Sequence, residues 1–365
     1  MRLARLEITH VRNLKAVAVD LADGLNLFYG ANGAGKTSIL EAVHLLARGR
    51  SFRTHRIGSV ITRGEEALWV FAQLEDERRG KTGVGFHKRR DNVAEIRVNG
   101  VPERRVSTVA AVLPLQVLLP DGADLVLGHP GERRRFLDWG MFHVEHGSLA
   151  LLRDYQRALR QRNVILRAAR GREDSLGRDI DTWDEGLIAL AVRVDEMRRH
   201  YVSALTPVFD AQLTALSGDL AVELKYLSGW ADGVPYEKSL RDSRARDVKS
   251  GSTHPGPHRA DLRLRAGGQA AAETLSRGQA KVVASALRLA QAEQIATVAG
   301  RSSVFLMDDV GAELDRAHNE RFFGVLSRMG CQVLATGTAP LRLEGHFQGR
   351  QQMFHVEHGG CSADL

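Results

Sequence analysis

A glycine-rich segment near the start of the sequence contains the residue types that hold nucleotide phosphates. It runs GANGAGKTS from Gly30 to Ser38, between the apolar stretch Leu25–Tyr29 and a run whose apolar spacing predicts a helix. Glycines let backbone N–H groups turn toward phosphate oxygens, and a helix N-terminus favours an anion. Lys36 is placed to neutralise the β- and γ-phosphates, and the Thr37 hydroxyl suits Mg²⁺. The segment predicts a phosphate-binding loop for a nucleoside triphosphate with Mg²⁺.

Two polar segments far along the chain follow apolar strands and are expected to join this loop. Asp308 and Asp309 come directly after Val304–Met307, and Thr336–Thr338 follows the stretch Gly330–Ala335. The carboxyl ends of parallel strands meet at one edge of a sheet, so the three segments can converge there. Asp308 is then expected to hold the water shell of Mg²⁺. Asp309 would orient or deprotonate an attacking water, which makes it a catalytic candidate together with the loop lysine.

Three further residues are weaker candidates for the same site. Gln116 is a polar residue inside the apolar stretch Leu113–Leu119 and needs a partner, which is either the metal or its water, or a backbone group. Arg12 and Asn13 form a turn just before the second predicted strand. That turn either faces the base or phosphates of the nucleotide or is an ordinary surface turn.

A short polar segment, LSRGQ at Leu275–Gln279, precedes a strongly helical run from Ala280 to Ile295. It has no evident role in the phosphate site of its own subunit. The Ser276 hydroxyl and the free N–H groups of the helix start suit a γ-phosphate that a second molecule presents. This predicts a two-fold dimer bridged by nucleotide, with two composite sites. An ordinary helix cap is the alternative.

The elements around these segments alternate between strands and helices. Asp23-Gly24 predicts a hairpin between the second strand and the phosphate-loop strand, and Asn99-Gly100 predicts another tight hairpin. Alternation with period two predicts an antiparallel set that flanks the nucleotide. The strands expected in the N-terminal third are Leu3–Ile8, Val17–Leu21, Leu68–Glu75, Gly83–Arg90 and Ala94–Glu103.

The middle of the chain predicts helices. One spans Leu149–Arg170, and a second spans Thr182–Phe209 with Thr182 and Glu185 as a capping box. Four arginines of the first helix recur at spacings of three, four and seven, which places them on one face. That face either follows a phosphate backbone of DNA or is simply solvated. These arginines are Arg153, Arg157, Arg160 and Arg167.

Length and composition limit the class of protein. The 365 residues suffice for two lobes, and the net charge of +7 with a pI near 9.7 fits an anionic partner such as DNA, although most basic residues are arginine. The sequence has two cysteines without a CxxC motif, no apolar run long enough to span a bilayer and no signal peptide. We therefore expect the protein in the cytoplasm, in association with the nucleoid. We expect two halves of an ATPase lobe, 1–125 and 251–365, around a helical insert at 126–250.

At this point the motifs resemble those of a known superfamily. LSRGQ, the Asp308-Asp309 pair and Glu313–Asp315 are similar to the signature, Walker B and D-loop segments of ABC-type ATPase heads. GANGAGKTSILEAV resembles the branch of that superfamily that acts in chromosome maintenance and recombination. Members of that branch usually separate the two halves of the ATPase head by a very long coiled coil. Here only 240 residues separate Lys36 from Ser276.

The short insert and several specific motifs closely resemble the bacterial RecF family of recombination mediators, from about Arg2 to Thr338. The resemblance implies an α/β fold, an ABC-type ATPase head whose mixed sheet carries the P-loop, with a smaller, mainly helical lobe. The motifs that carry it, besides those above, are ERRRFLDWG at Glu132–Gly140, YQRALRQRN at Tyr155–Asn163, GPHRADL at Gly256–Leu262 and MDDVGAELD from Met307.

The resemblance also implies a function. Members of this family bind ATP and DNA, dimerise with ATP, hydrolyse it slowly, and act with RecR and RecO to place RecA at gaps and at junctions of single- and double-stranded DNA, which supports the SOS response. A transporter-type ABC ATPase subunit and a scaffold that binds nucleotide without hydrolysis are the alternatives. Carried over by motif, nucleotide contacts fall on Gly30, Ala31, Asn32, Gly33, Ala34, Gly35, Lys36, Thr37 and Ser38, and in trans on Ser276, Gly278 and Gln279.

Two departures from the superfamily pattern concern hydrolysis. Asp309 stands where many ABC ATPases have Glu, and the shorter carboxylate reaches a water less well. The usual switch histidine is replaced by Thr336–Thr338. The shorter carboxylate predicts slow turnover, which suits a switch. The expected activity is a weak, DNA-dependent ATPase.

One heptapeptide, MFHVEHG, occurs twice, at Met141–Gly147 and at Met353–Gly359. Its HxxH spacing suggests a metal site, but neither copy has a third ligand nearby in the sequence. The first copy overlaps a predicted helix boundary and the second a predicted terminal strand. The codons ATG TTC CAC GTG GAA CAT encode the first six residues and are self-complementary. That DNA sequence resembles a palindrome bound by chromosome-partition proteins, so the repeat has a possible cause at the level of the gene.

Overall fold

The structure is a computed structural model that describes residues 1–76, 80–91, 94–119, 122–169, 179–310, 316–340, 347 and 349–364. It divides into two compact units. Unit 1 comprises Met1–Gly122, Gln212–Gly218 and Ser285–Leu365, and unit 2 comprises Ala123–Ala211 and Asp219–Ala284. The predicted boundary at 125/126 lies close to the observed one at 122/123. Residues 251–284, expected in the second half of the ATPase lobe, instead belong to unit 2.

The described part of unit 1 contains an antiparallel sheet of six strands in the order β2-β1-β4-β5-β6-β7. Its strands alternate as predicted, with Leu68, Val70 and Ala72 buried while Trp69 and Phe71 between them are exposed. The hairpin at Asn99-Gly100 is confirmed, since both residues have positive φ. The bounds are β1 Arg2–Val11, β2 Leu14–Asp20, β4 Ala67–Asp76, β5 Gly80–Arg89, β6 Ala94–Val98 and β7 Val101–Glu103.

The second sheet described in unit 1 also has six strands, in the order β15-β14-β3-β13-β12-β8. Five run parallel and β15 pairs antiparallel with β14, so the sheet is mixed, as predicted. All four residues of β12 are buried, as expected for a strand covered on both faces. The bounds are β3 Leu25–Tyr29, β8 Leu115–Leu118, β12 Val304–Met307, β13 Gln332–Gly337, β14 Gln351–Glu357 and β15 Gly360–Ala363.

The hairpin predicted at Asp23-Gly24 is wrong, because β2 and β3 lie in different sheets. Buried side chains hold the chain where it crosses between them. Asn26 accepts a hydrogen bond from the Ala22 amide at 2.8 Å and donates to the Ala22 carbonyl at 2.9 Å. Gln332 donates to that same carbonyl at 2.7 Å. These bonds satisfy the buried backbone of the crossing, which a two-residue hairpin would have satisfied by strand pairing.

The helix that follows the phosphate loop contacts both sheets of unit 1. It is buried along almost its whole length, and Ile39, Leu40 and Val43 join the core shared with both sheets. Two long helices continue from one unit into the other. The bounds of the helices with residues in unit 1 are α1 Lys36–Arg48, α2 Val106–Val112, α6 Asp179–Leu216, α10 Arg277–Ala299 and α11 Arg316–Arg328.

Unit 2 is mainly helical and has a three-stranded antiparallel sheet in the order β11-β10-β9. Pairing of β10 with β9 explains why residues after 250 belong to this unit. Its remaining elements are α3 Asp124–Leu127, α4 Pro130–Val144, α5 Ser148–Ala168, β9 Glu223–Leu227, α7 Tyr236–Asp242, α8 Arg244–Ser250, β10 Asp261–Ala266, β11 Gln269–Ala270 and α9 Ala271–Thr274. The predicted N-cap at Thr182 is wrong, since α6 begins three residues earlier and Thr182 lies within its first turn.

A buried ionic network organises unit 2 and was not predicted. Arg162 is fully buried and donates to Asp184 at 2.6 Å, to Asp247 at 2.8 Å and to Thr253 at 2.9 Å. A buried arginine is tolerated when carboxylates pair with it and hydrogen bonds satisfy it. Asn163 accepts two further hydrogen bonds from Thr253.

The family-specific motifs of unit 2 contact one another. Arg133 of the first motif forms a two-pronged ion pair with Asp261 at 2.7 and 3.1 Å. Tyr155 of the second lies 2.7 Å from His258 Nδ1. Gly256 has φ of +140°, and a Cβ there would lie 2.9 to 3.1 Å from three side-chain atoms. These residues therefore build the interior of unit 2.

Candidate nucleotide-binding site

Strand register brings the predicted segments of unit 1 to one edge of the mixed sheet. Tyr29 pairs with Gly337, and Met307 pairs with Ala335. The residues that follow these strands therefore leave the sheet side by side. The phosphate loop, the acidic pair and the threonine turn converge, as the sequence predicted.

Backbone geometry explains the glycines of the loop. Gly30 has φ of +149°, and a Cβ there would lie 2.2 Å from the Val356 carbonyl oxygen. Gly35 has φ of +121°, and its Cβ would lie 2.7 Å from Leu14. Any other residue would be strained or would clash at both positions. Gly35 also caps α1 without a side-chain hydrogen bond, so the first N–H groups of the helix remain for an anion.

The Lys36 side chain folds back over the loop. Its ammonium donates to the carbonyl oxygens of Gly30 at 2.8 Å and Ala31 at 2.9 Å. These bonds hold the charge at the mouth of the loop, where a bound triphosphate would meet it. The predicted contact of Lys36 with the β- and γ-phosphates stays a prediction.

Asp308 is the centre of a small hydroxyl–carboxylate cluster. The Thr37 hydroxyl lies 2.9 Å from Oδ1 and 3.2 Å from Oδ2 of Asp308, and the Thr336 hydroxyl donates to Oδ1 at 2.7 Å. Hydroxyl and carboxylate oxygens are the donors that Mg²⁺ takes from proteins when phosphates complete its shell. The cluster therefore fits a magnesium ion, which Thr37 and Asp308 would hold.

Asp309 adopts a left-handed backbone conformation, with φ of +54°. Its amide donates to the Thr336 hydroxyl at 2.8 Å, which fixes the turn at the strand end. Aspartate tolerates this conformation better than most residues. Asp309 also lines the cavity that the phosphate loop lines.

The Arg12-Asn13 turn lies in the same cavity, which keeps its predicted contact with nucleotide open as a prediction. Arg12 makes a two-pronged ion pair with the fully buried Glu41, at 2.8 and 2.9 Å, and the hydrogen bond to Glu41 raises the pKa of the Arg12 guanidinium. Asn13 donates to the Gly33 carbonyl at 3.0 Å and accepts from Ser38 at 3.2 Å. The turn thus supports the loop from outside.

Arg53 is a site residue that the sequence did not reveal. It lies 3.7 Å from Glu41, shares that carboxylate with Arg12, and is about half exposed in the cavity. No spacing or motif in the sequence marks it. The cavity has a volume of about 420 Å³ and is lined by Arg12, Asn13, Asn32, Gly33, Gly35, Lys36, Thr37, Ser38, Arg53, Asp308, Asp309, Thr336 and Thr338.

The structure does not bring Gln116 to this site. Its strand register pairs it with Phe305, three residues before Asp308, so it lies inside the sheet and not at its edge. The Gln116 amide donates to Gln291 at 3.3 Å, and Arg288 donates to its oxygen at 3.3 Å. Gln116 is therefore hydrogen-bonded to the side chains of Gln291 and Arg288 and does not reach the metal site.

The signature-like segment forms a reciprocal capping box in unit 2. The Ser276 amide donates to the Gln279 side chain at 2.9 Å, and the Gln279 amide donates to the Ser276 hydroxyl at 3.2 Å. Residues 276–279 are all exposed. The contact of Ser276, Gly278 and Gln279 with a partner's nucleotide stays a prediction. The D-loop-like residues Glu313–Asp315 lie outside the described residues.

The four arginines predicted for DNA are all exposed on α5, whereas Arg162 of the same helix is buried in the ionic network. Their contact with DNA remains a prediction. Among the described residues there is no cluster of three or more His, Cys, Asp or Glu side chains suited to a metal ion. No helix in the described ranges is long and apolar enough to cross a membrane.

Known proteins resemble this chain along almost its full length. The RecF/RecN/SMC N-terminal domain family matches residues 2–359. The DNA replication and repair protein RecF of Pseudomonas entomophila (strain L48) is 41% identical over 361 residues, which cover 98% of this chain and 97% of the relative. The protein of the same description from Cellvibrio japonicus (strain Ueda107) is 38% identical over 366 residues, 99% of each chain.

Solved structures show the same similarity. The structure of the recombination mediator protein RecF with ATP in the RecFOR pathway has a TM-score of 0.86 and 25% identity, covering all of this chain and 97% of the other. An SMC head bound to the C-winged helix domain of ScpA has a TM-score of 0.62 at 16% identity and shows the fold alone. The predicted fold class, an ABC-type ATPase head with a mixed sheet and a smaller helical lobe, is thereby confirmed.

Proposed function

Because the chain belongs to the RecF/RecN/SMC N-terminal domain family, and within it to the RecF proteins, we propose that it is an ATP-dependent DNA-binding protein of replication and recombinational repair. The observation that supports this most strongly is the convergence at one sheet edge. There the lysine of the loop, the Thr37–Asp308 pair and Asp309 surround one cavity. This arrangement suits a triphosphate with Mg²⁺.

Each residue has a separate role in this proposal. Lys36 and the N–H groups at the start of α1 bind the phosphates, while Thr37 and Asp308 hold Mg²⁺, which shields the charge that develops on the γ-phosphate. Asp309 orients the attacking water, and its short side chain makes hydrolysis slow. Slow hydrolysis suits a switch, since the ATP-bound state then lasts long enough to act on DNA.

The ATP-bound state is proposed to be a dimer. Each subunit holds the phosphates with its own loop, and the exposed capping box at Ser276–Gln279 of the second subunit contacts the γ-phosphate. A chain that supplies only part of each site couples ATP binding to dimerisation. Hydrolysis then releases the dimer from DNA.

DNA and protein partners follow from the relatives. The proposal is a clamp at gapped DNA and at junctions of single- and double-stranded DNA that acts with RecO and RecR to load RecA and supports the SOS response. The descriptions of the relatives name replication, repair and the RecFOR pathway. The exposed arginines of α5 are the proposed phosphate contacts, and a nucleoid-associated location would follow from binding DNA.

Three variants of the full chain test the switch. Lys36→Met is expected to abolish ATP binding, Asp309→Asn to bind ATP and accumulate as a dimer, and Ser276→Arg to bind ATP but remain a monomer. ATP affinity, ATP turnover with and without DNA, and sedimentation at saturating ATP are measured for each variant. Thr274→Arg, an exposed position two residues before Ser276, is the matched control and should dimerise normally.

The outcomes separate the alternatives. A native protein that binds ATP but neither turns it over nor dimerises is a nucleotide-binding scaffold. Turnover that DNA does not stimulate would contradict the DNA switch and return the transporter-type ATPase to consideration.

A further inference from the structure

The C-terminal hairpin reaches the phosphate loop. Strand β14 pairs in parallel with β3, and β15 turns back from it through a two-residue loop, His358-Gly359. Both loop residues have positive φ, +49° and +79°, which is the geometry of a type I′ turn. The chain between Thr338 and this hairpin shows no sequence motif of ATPases, so no pattern of residues assigns the hairpin to the site.

The His358-Gly359 turn contacts the backbone of the phosphate loop and of the Arg12-Asn13 turn. The Gly359 amide donates to the Ala34 carbonyl, inside the loop, at 3.1 Å. Gly359 is buried against the Arg12-Asn13 turn, and a Cβ there would lie 2.2 Å from the Asn13 carbonyl oxygen. Asn13 in turn donates to the carbonyl of Gly33, the residue before Ala34. Two neighbouring carbonyls of the loop are therefore held from outside.

We propose that Gly359 is a positioning residue for nucleotide phosphates. A trans peptide directs its carbonyl and the next N–H to opposite sides. When the Gly359 amide holds the Ala34 carbonyl outward, the Gly35 N–H is turned inward, toward the space a β-phosphate takes. The absence of a side chain lets the turn approach closely enough to donate this bond. This inference rests on the proposed ATP binding.

The test compares Gly359→Ala with Gly100→Ala. Both glycines have φ of +79° and lie in tight hairpin turns, but a Cβ at Gly100 meets no atom within 4 Å. The two variants carry the same backbone strain, and only one disturbs the loop. We measure the dissociation constants of ATP and ADP with Mg²⁺ by calorimetry, and the melting temperature without nucleotide.

Gly359→Ala should weaken ATP and ADP alike by about fivefold or more, the effect of losing roughly one oriented hydrogen bond, while Gly100→Ala stays within about twofold of the native protein. Equal affinities in the two variants would overturn the proposal. If Gly359→Ala does not fold, His358→Pro in the full chain serves instead, since proline cannot adopt the φ of +49° at this position and displaces the turn. Native-like ATP affinity in that variant is equally contrary. Failure of the native protein to bind ATP would instead contradict the proposed function.

An independent observation concerns the repeated heptapeptide. In the first copy, Met141–Val144 forms the last turn of α4 in unit 2, whereas the second copy lies in β14 and its turn in unit 1. His143 packs on Trp139 with ring centroids 4.4 Å apart, and its counterpart His355 lies beside Tyr29. Valine is partly exposed in the first copy and buried in the second. The two copies share no structural role that would keep seven residues identical.

We infer that the identity is imposed by the coding DNA. The genetic code allows the six residues MFHVEH to be encoded by codons that pair from the outside inward as reverse complements: ATG with CAT, TTC with GAA, and CAC with GTG. A perfect palindrome of this kind is what a two-fold symmetric DNA-binding dimer recognises in the major groove. The gene would then carry two such sites inside its reading frame. Its sequence at the two positions should read ATGTTCCACGTGGAACAT, and synonymous codons that break the symmetry at either site would overturn the inference.

Discussion

Two buried side chains of α1 show how single residues set the properties of the site. Glu41 is fully buried behind the phosphate loop and binds Arg12, Arg53 and Ser51. Because these groups line or flank the cavity, the carboxylate positions two positive charges near the expected nucleotide. His44, one turn further along, has a different role: it is buried against Phe52, and its Nδ1 lies 2.6 Å from the Arg50 carbonyl.

The buried His44 is expected to lower the stability of the folded protein at acid pH. Burial, and next to it the charge of Arg48, lowers the pKa of His44 to about 3, whereas an unfolded histidine has a pKa near 6.5. Between these values the unfolded chain binds more protons, so stability falls as the pH drops below about 6.5, by about 2 kcal/mol at pH 5 from this group. His44→Asn keeps a donor for Arg50 and removes the titration.

Urea unfolding at pH 7.5 and pH 5 checks this expectation. The native protein should lose about 2 kcal/mol more than His44→Asn between the two pH values. Equal losses in both proteins would show that His44 is accessible to protons in the folded state. His258 in unit 2, whose pKa burial lowers to about 4, titrates in both proteins and therefore cancels in the comparison.

At the scale of elements, a buried glutamine joins the two sheets of unit 1. Gln332 at the start of β13 accepts from the Leu3 amide and donates to the Leu3 carbonyl, both at 2.7 Å, and also bonds Ala22. Leu3 belongs to the antiparallel sheet and Gln332 to the mixed one. The glutamine thus satisfies backbone groups that neither sheet can pair by itself.

Gln332→Leu should therefore destabilise the protein by about 2–4 kcal/mol, because it keeps the apolar volume but removes the hydrogen bonds that Gln332 makes to the buried amide and carbonyl of Leu3. Gln269→Leu, at an exposed position in β11, is the control and should change stability by less than about 0.5 kcal/mol. The measurement is the free energy of unfolding from urea titrations. A change at Gln332 as small as that at Gln269 would contradict this account.

Elements also show what the sequence could reveal. Local signals identified β3, β12, the Asn99-Gly100 hairpin and the edge where the phosphate loop meets Asp308, because each depends on neighbours in sequence or on a general rule for parallel sheets. The Asp23-Gly24 hairpin was wrong because turn residues do not say which sheet the next strand joins. Gly359, Arg53 and the Arg162 network depend on contacts between distant segments and carry no local signal.

At the scale of the whole molecule, DNA binding depends on where positive charge lies on the surface. The net charge of +7 favours binding to DNA but does not locate the DNA-binding surface, whereas the exposed arginines of α5 form one candidate surface. If each contacts a phosphate, each releases counterions on binding. The salt dependence of DNA affinity then reports how many of them take part.

Replacing Arg153 and Arg157 by alanine should weaken binding to a gapped duplex and reduce the slope of log K against log salt by about 1 for each phosphate that the variant no longer neutralises. Arg241→Ala is the control, since Arg241 is exposed on α7 and paired with Glu237 at 2.7 Å. Affinity is measured by fluorescence anisotropy at several salt concentrations with ATP present. An unchanged slope in the double variant would place the DNA elsewhere on the protein.

The position of β3 in its sheet has a consequence for how the protein is made. This strand lies between β13 and β14, both of which come from the last tenth of the chain. A nascent chain on the ribosome therefore exposes its glycine loop long before the strands that complete the pocket are translated. A polypeptide released early, at any point before β13, keeps the most recognisable motif of an ATPase and yet lacks Thr336 and Thr338, which line the pocket.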